Sequence, residues 1–211
     1  MCNLYRMTGN AQAIAQLFAA DTAGRNLPPF HEIFPDQMAP VVVAQDGARR
    51  LDMMRWGWPP FGQVKRPVTN IRNLDSPMWR GALADPARRC LVPVTEFSEW
   101  SLTPDPATGR KRKHWFTMRD APLFAFAGLW RPTPEGARFA FLTCEANMTV
   151  GAVHPKAMPV MLRPGADCDR WLSAPLERAA ALQCPFPDAE MHEVAPDDSP
   201  QEETSAQGKL L

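Results

Sequence analysis

The sequence predicts an α+β fold: a single domain with a curled, mostly antiparallel β-sheet as a barrel-like core and short helices at its flanks. Three observations point this way. Short apolar runs recur along the chain, each bounded by Pro, Gly, Asp or Asn. There are 23 prolines, which favour many short elements joined by stiff loops. Stretches with helical spacing are few and short, so strands must supply most of the core.

In chain order, Asn10 to Ala20 reads as a helix capped by Thr8 or Asn10, with Ala11, Ile14, Ala15 and Phe18 on one face. Strand-like runs follow at Pro40–Ala44, Leu51–Trp56, Leu91–Phe97, His114–Met118, Leu123–Leu129, Arg138–Thr143 and Met158–Leu162. Ser76–Ala84 reads as a helix with Pro77 at its first position, where a missing N–H does no harm. Asp169–Ser173 and Leu176–Leu182 read as short helices. The domain is expected to span residues 2–196. From Asp197 the composition turns polar and acidic, so residues 197–211 are expected to form a disordered tail.

No run of about 18 apolar residues is present, so no membrane span is expected. The N-terminus, Met-Cys-Asn-Leu-Tyr-Arg, lacks the basic-then-apolar layout of a signal peptide. Together these place the protein in a reducing cytoplasm with its five cysteines as free thiols. Net charge is zero, and whole-chain charge therefore gives no sign of nucleic acid. Arginines and lysines do crowd positions 49 to 89 and the run Arg110 to Lys113. Either a local basic groove or merely solvated faces would explain that distribution.

Several residues could carry chemistry. Removal of Met1 would leave Cys2 with an α-amine and a thiol on adjacent carbons, titrating near about pH 8 and 8.5. The amine can condense with an aldehyde to an imine, and the thiol can then close on the imine carbon to give a thiazolidine. Cys2 taken alone is more simply an accidental second residue on a frayed end. The other four cysteines and the four histidines show no zinc-ligand spacing; no metal is expected, and Cys90 and Cys144 read as small buried residues. Glu99, beside Phe97 and Trp100, can be partly desolvated and so suited to proton transfer, or can be a surface carboxylate. His154 lies in a loop between two punctuated segments and fits an acid–base group or a structural hydrogen-bonder. Asn70 and Arg72 alternate along an extended stretch and can present polar groups on one face, where they would suit phosphate or sugar contacts. Of seven tryptophans, some could stack on bases, but core packing explains most.

Taken in order, these segments resemble one family. They are Met1-Cys2-Asn3-Leu4-Tyr5, Phe34-Pro35-Asp36-Gln37, Arg55-Trp56-Gly57, Asn70-Ile71-Arg72, Arg89-Cys90-Leu91-Val92-Pro93, Phe97-Ser98-Glu99-Trp100, Ala127-Gly128-Leu129-Trp130, Thr143-Cys144-Glu145-Ala146-Asn147 and His154 to Met158-Pro159-Val160. Over roughly residues 2 to 175 the chain resembles the SOS response-associated peptidase (SRAP) family. Each segment is weak evidence; their shared order is specific. The resemblance implies a sensor of abasic sites in single-stranded DNA that crosslinks covalently to them through a thiazolidine on Cys2. It implies Glu99 as the acid/base, His154 as the group assisting sugar ring opening and reversal, and Asn70 as a hydrogen-bonding holder of sugar or terminus. Arg72 would pair with a flanking phosphate, and Thr143 would line the pocket. Pro35 is placed with the DNA contacts. No cofactor is implied, and the expected protein is a cytoplasmic monomer that joins the nucleoid when bound to DNA.

The chain also departs from the family pattern. Trp58-Pro59-Pro60-Phe61 replaces a segment ending in a DNA-facing tryptophan, which passes that role to Phe61 or Trp58. Leu74 stands where an acid is usual, and an extra residue follows His154, leaving Lys156 to supply the cation. Two other readings stay open: a thiol peptidase or amidase using Cys2 as an N-terminal nucleophile, possible self-removal of Met1 included, and a single-stranded DNA-binding module in which Cys2 is incidental.

Overall fold

The apolar runs pair into two sheets, one of which closes on itself. The computed structural model describes residues 2–60 and 65–195. Its strands are β1 (Tyr5–Met7), β2 (Ala20–Asp21), β3 (Phe30–Ile33), β4 (Met38–Gln45), β5 (Ala48–Trp56), β6 (Asn70–Ile71), β7 (Arg89–Val94), β8 (Glu96–Pro104), β9 (Lys111–Met118), β10 (Phe124–Arg131), β11 (Arg138–Cys144), β12 (Met158–Pro159), β13 (Met161–Leu162) and β14 (Met191–Val194). The helices are α1 (Ala11–Phe18), α2 (Pro77–Ala84), α3 (Met148–Gly151), α4 (Ala166–Ser173) and α5 (Leu176–Ala180). The fold is the α+β type expected, with sheets mostly antiparallel and helices short.

The larger sheet runs β12-β11-β10-β7-β4-β5-β2, and β5 also pairs in parallel with β11. That extra pairing closes β5, β4, β7, β10 and β11 into a ring whose interior side chains fill. The second sheet, β14-β9-β8-β1-β3, is antiparallel throughout. An aromatic cluster ties the two together. Tyr5 of β1 meets Trp56, Phe126 and Phe141 of the ring edge-on, at centroid distances of 5.2, 6.0 and 6.1 Å. Phe97 of β8 meets Phe126 in the same way, 5.8 Å away. With Tyr5 wedged between the sheets, Cys2 and Leu4 just ahead of it are buried as well, while Asn3 between them is exposed.

Local signals acted as read in several places. The Asn10 side chain accepts from the Ala13 N–H and caps α1, and Pro77 opens α2. Cys90 and Cys144 are buried. Elsewhere the boundaries need correction. The run Leu91–Phe97 is two strands, broken at Thr95, where the chain leaves the ring for the second sheet. There the Thr95 N–H and hydroxyl both donate to the Arg6 carbonyl. Met158–Leu162 is likewise divided: the Val160 N–H donates to Leu142 and its carbonyl accepts from Ala127, so this residue bridges two ring strands. The expected tail, residues 197–211, lies outside the described residues, as does Phe61.

Candidate active site

Cys2 is fully buried between the two sheets, and both contribute to what surrounds it. Its thiol donates to the Leu4 carbonyl at 3.4 Å and, more weakly, to the Ser98 carbonyl at 4.0 Å. Its own carbonyl accepts from the Asn70 side-chain amide at 2.9 Å. Asn70 can reach it because β6 lies parallel to β11, with Asn70 opposite Phe141, and because the Thr69 hydroxyl accepts from the same amide nitrogen, 2.9 Å away.

Glu99 comes from the other sheet. It lies on β8 directly opposite His114 of β9, and Tyr5 opposite Phe97 sets β1 beside this segment. Phe97 and Glu99 are two apart on a strand and share its inward face, so both are buried. Trp100 was expected to help desolvate Glu99 but does not: it points to the opposite face, where Lys113 lies 5.5 Å from its ring. Burial raises the Glu99 carboxyl from an ordinary 4.5 to about 7. The Cys2 thiol is pushed far above its usual range, first by burial and then by the charge of Glu99.

The third side is the loop after α3. The His154 N–H donates to the Val150 carbonyl, and its ring Nδ1 lies 3.7 Å from Glu99 Oε2. That is too long for a hydrogen bond but close enough for proton transfer once the ring turns or a water bridges. Burial holds the His154 pKa below its ordinary value, with Lys156 contributing, so the imidazole is neutral at physiological pH. Among the described residues nine buried side-chain N or O atoms lack a hydrogen-bond partner, and four of these belong to Asn70, Glu99, Thr143 and His154. Unmet hydrogen-bonding capacity is costly, so these atoms are open to a polar partner.

The remaining expected contacts are placed as follows. Arg72 is exposed and pairs with Glu145 at 3.4 Å. Thr143 is buried at the end of β11. Lys156 is exposed. Pro35 is the second residue of a tight turn, in which the Gln37 N–H donates to the Phe34 carbonyl and Asp36 takes φ of 68°. That turn is bonded to Arg55, Arg138 and Trp56, and has no hydrogen bond to the Cys2 cluster. Of the early arginines, Arg49 pairs with Asp169, Arg50 with Asp52 and Arg55 with Asp36. Arg89 is buried, donating to the carbonyls of Leu83, Trp171 and Ala174. Gln183 carried no sequence signal, yet its amide spans the carbonyls of Arg72 and Thr143.

A family model described as SOS response associated peptidase (SRAP) matches residues 1–197. The chain belongs to the SRAP family. Membership supports a role tied to DNA damage and the SOS response. The fold of this SRAP protein is shared by solved crystal structures at low sequence identity. One, from Bacteroides thetaiotaomicron, is 18% identical with a TM-score of 0.74, over 91% of this chain and 90% of that one. A Bordetella bronchiseptica protein is 23% identical with a TM-score of 0.72, over 91% and 98% of the two chains. A phage-related protein from the same organism is 22% identical with a TM-score of 0.70, over 92% and 93%. No curated protein matches the SRAP chain significantly. No helix among the described residues is long and apolar enough to cross a membrane.

Proposed function

We propose that this SRAP protein senses abasic sites in single-stranded DNA and crosslinks to them through Cys2. The observation that carries the reading is the meeting of Cys2, Asn70, Glu99 and His154 in one buried site, with a carboxyl near neutrality at its centre.

Removal of Met1 turns the Cys2 nitrogen into a primary amine. Asn70 holds the Cys2 carbonyl and so fixes where that amine points. The amine attacks the aldehyde carbon of the ring-opened sugar. Glu99 in its acid form then protonates the hydroxyl, which leaves as water and gives the imine. The thiol next adds to the imine carbon: the S–C bond forms, the C=N double bond becomes single, and the thiol proton passes through Glu99 to nitrogen. The net change is aldehyde plus amine plus thiol to thiazolidine plus one water. A carboxyl with a pKa of about 7 is present in both forms at neutral pH and can serve both steps. Neutral His154 is positioned to accept the sugar hydroxyl proton as the ring opens, and Arg72 and Lys156 lie exposed for the flanking phosphates. The rival role, an N-terminal thiol peptidase, would use the same Cys2 thiol on a carbonyl, and the two readings differ in the substrate attacked.

The test is incubation with single-stranded DNA bearing one abasic site, followed by denaturing electrophoresis. Wild-type protein should shift covalently, and Cys2→Ser should give only an adduct that needs reductive trapping. Cleavage of a peptide supplied in trans, with no shift on abasic DNA, would replace this reading by the peptidase.

A further inference from the structure

We propose that Gln183, outside every segment that carries the family resemblance, is a positioning residue that ties Arg72 to β11 and so sets the Arg72 side chain for DNA. This inference rests on the proposed function and deepens it.

The parallel ladder between β6 and β11 pairs Asn70 with Phe141 and Ile71 with Leu142, then stops. Arg72 follows the last residue of β6, while Thr143, still inside β11 and paired on its other side with Pro159 of β12, has no β6 partner opposite it. Gln183 closes that gap. Its amide nitrogen donates to the Arg72 carbonyl at 2.7 Å and to the Thr143 carbonyl at 2.9 Å. One primary amide has two N–H groups, so a single side chain can bond both carbonyls.

Neighbouring residues show that the clasp is part of a longer brace. The Cys184 carbonyl accepts from the Cys144 thiol at 3.2 Å, and the Phe186 carbonyl from the Asn147 amide at 2.7 Å. Asp188 accepts from both the N–H and the hydroxyl of Thr149, each at 2.7 Å. Residues 183 to 188 thus fasten the connection from β11 into α3, which carries Glu145 and leads to His154. Gln183 is the member that reaches across to the strand of Asn70. Without it the Arg72 backbone loses its anchor at the point where its side chain turns outward to pair with Glu145.

The test uses the full chain. Gln183→Met keeps the side-chain length and removes both donors. Noncovalent affinity and its salt dependence are measured on intact single-stranded DNA, and the crosslinking rate on abasic DNA at saturation. The inference predicts binding about fivefold weaker, the scale of indirect positioning effects. It predicts a log-log salt slope shallower by up to about 0.7, the loss of one single-strand phosphate contact. The saturating rate should hold. Made in an Arg72→Ala background, the same change should weaken binding no further, because its effect passes through Arg72. Unchanged affinity, an additive effect in that background, or an equal fall in affinity, saturating rate and melting temperature would overturn it. If wild-type protein forms no adduct at saturation, the proposed function fails instead.

Discussion

Glu99 holds its place through alternation on β8, and the same alternation decides its chemistry. Its face is shared with Phe97 and lies against Cys2, so burial lifts its pKa to about 7. The native state therefore keeps a proton that the unfolded chain has already released above pH 4.5. The stability this contributes is full below that pH and is lost as pH rises through 7. Glu99→Gln, which cannot ionise, should melt higher than wild type at pH 8 and equally at pH 4, while crosslinking slows by about 10²-fold or more. Thermal melts at the two pH values and a single-turnover rate check both halves; an unchanged rate would remove Glu99 from the chemistry. The four residues that meet here were singled out by the shared order of several segments, each of them weak by itself. Gln183 was not, since its work is done at the end of a ladder that only the fold creates.

The elements were read best where a local device fixes them. Asn10 and Pro77 start their helices by capping and by a fixed φ, both written in the sequence. They were read worst where a short polar interruption marks a change of sheet. Leu91 to Phe97 was read as one run, although the polar pair Thr95 and Glu96 interrupts it and is only half-buried between buried flanks. Short strands such as β1 and β14 are defined by their partners and leave little trace of their own. Within the ring, β10 and β7 are held close by Gly128 opposite Cys90. A Cβ added at Gly128 would lie 2.7 Å from the Cys90 sulfur and 3.0 Å from Val92. Gly128→Ala should therefore cost about 1–3 kcal/mol, the usual penalty for overpacking, and Cys90→Ala should recover part of it. Denaturant melts of the two single variants and the double variant check this; full additivity would mean that the clash is relieved elsewhere.

At the scale of the molecule, closure of the ring by β5 and β11 and the wedging of Tyr5 between the sheets make the site possible. The curled antiparallel character followed from many short strands. The parallel pairing that closes the ring did not, because a period-two pattern says which face is buried and nothing about distant partners. The same architecture buries Cys2 and ties its carbonyl to Asn70, which makes it a fixed residue and not a frayed end. In the proposed adduct its amine and thiol are both bonded to one sugar carbon. Intact mass spectrometry of the protein–DNA conjugate, with and without borohydride, checks this bonding. The expected mass is that of the Met1-free chain plus the abasic strand less one water, formed without reductant and unchanged by it. A conjugate seen only after borohydride trapping, or none at all, would contradict it.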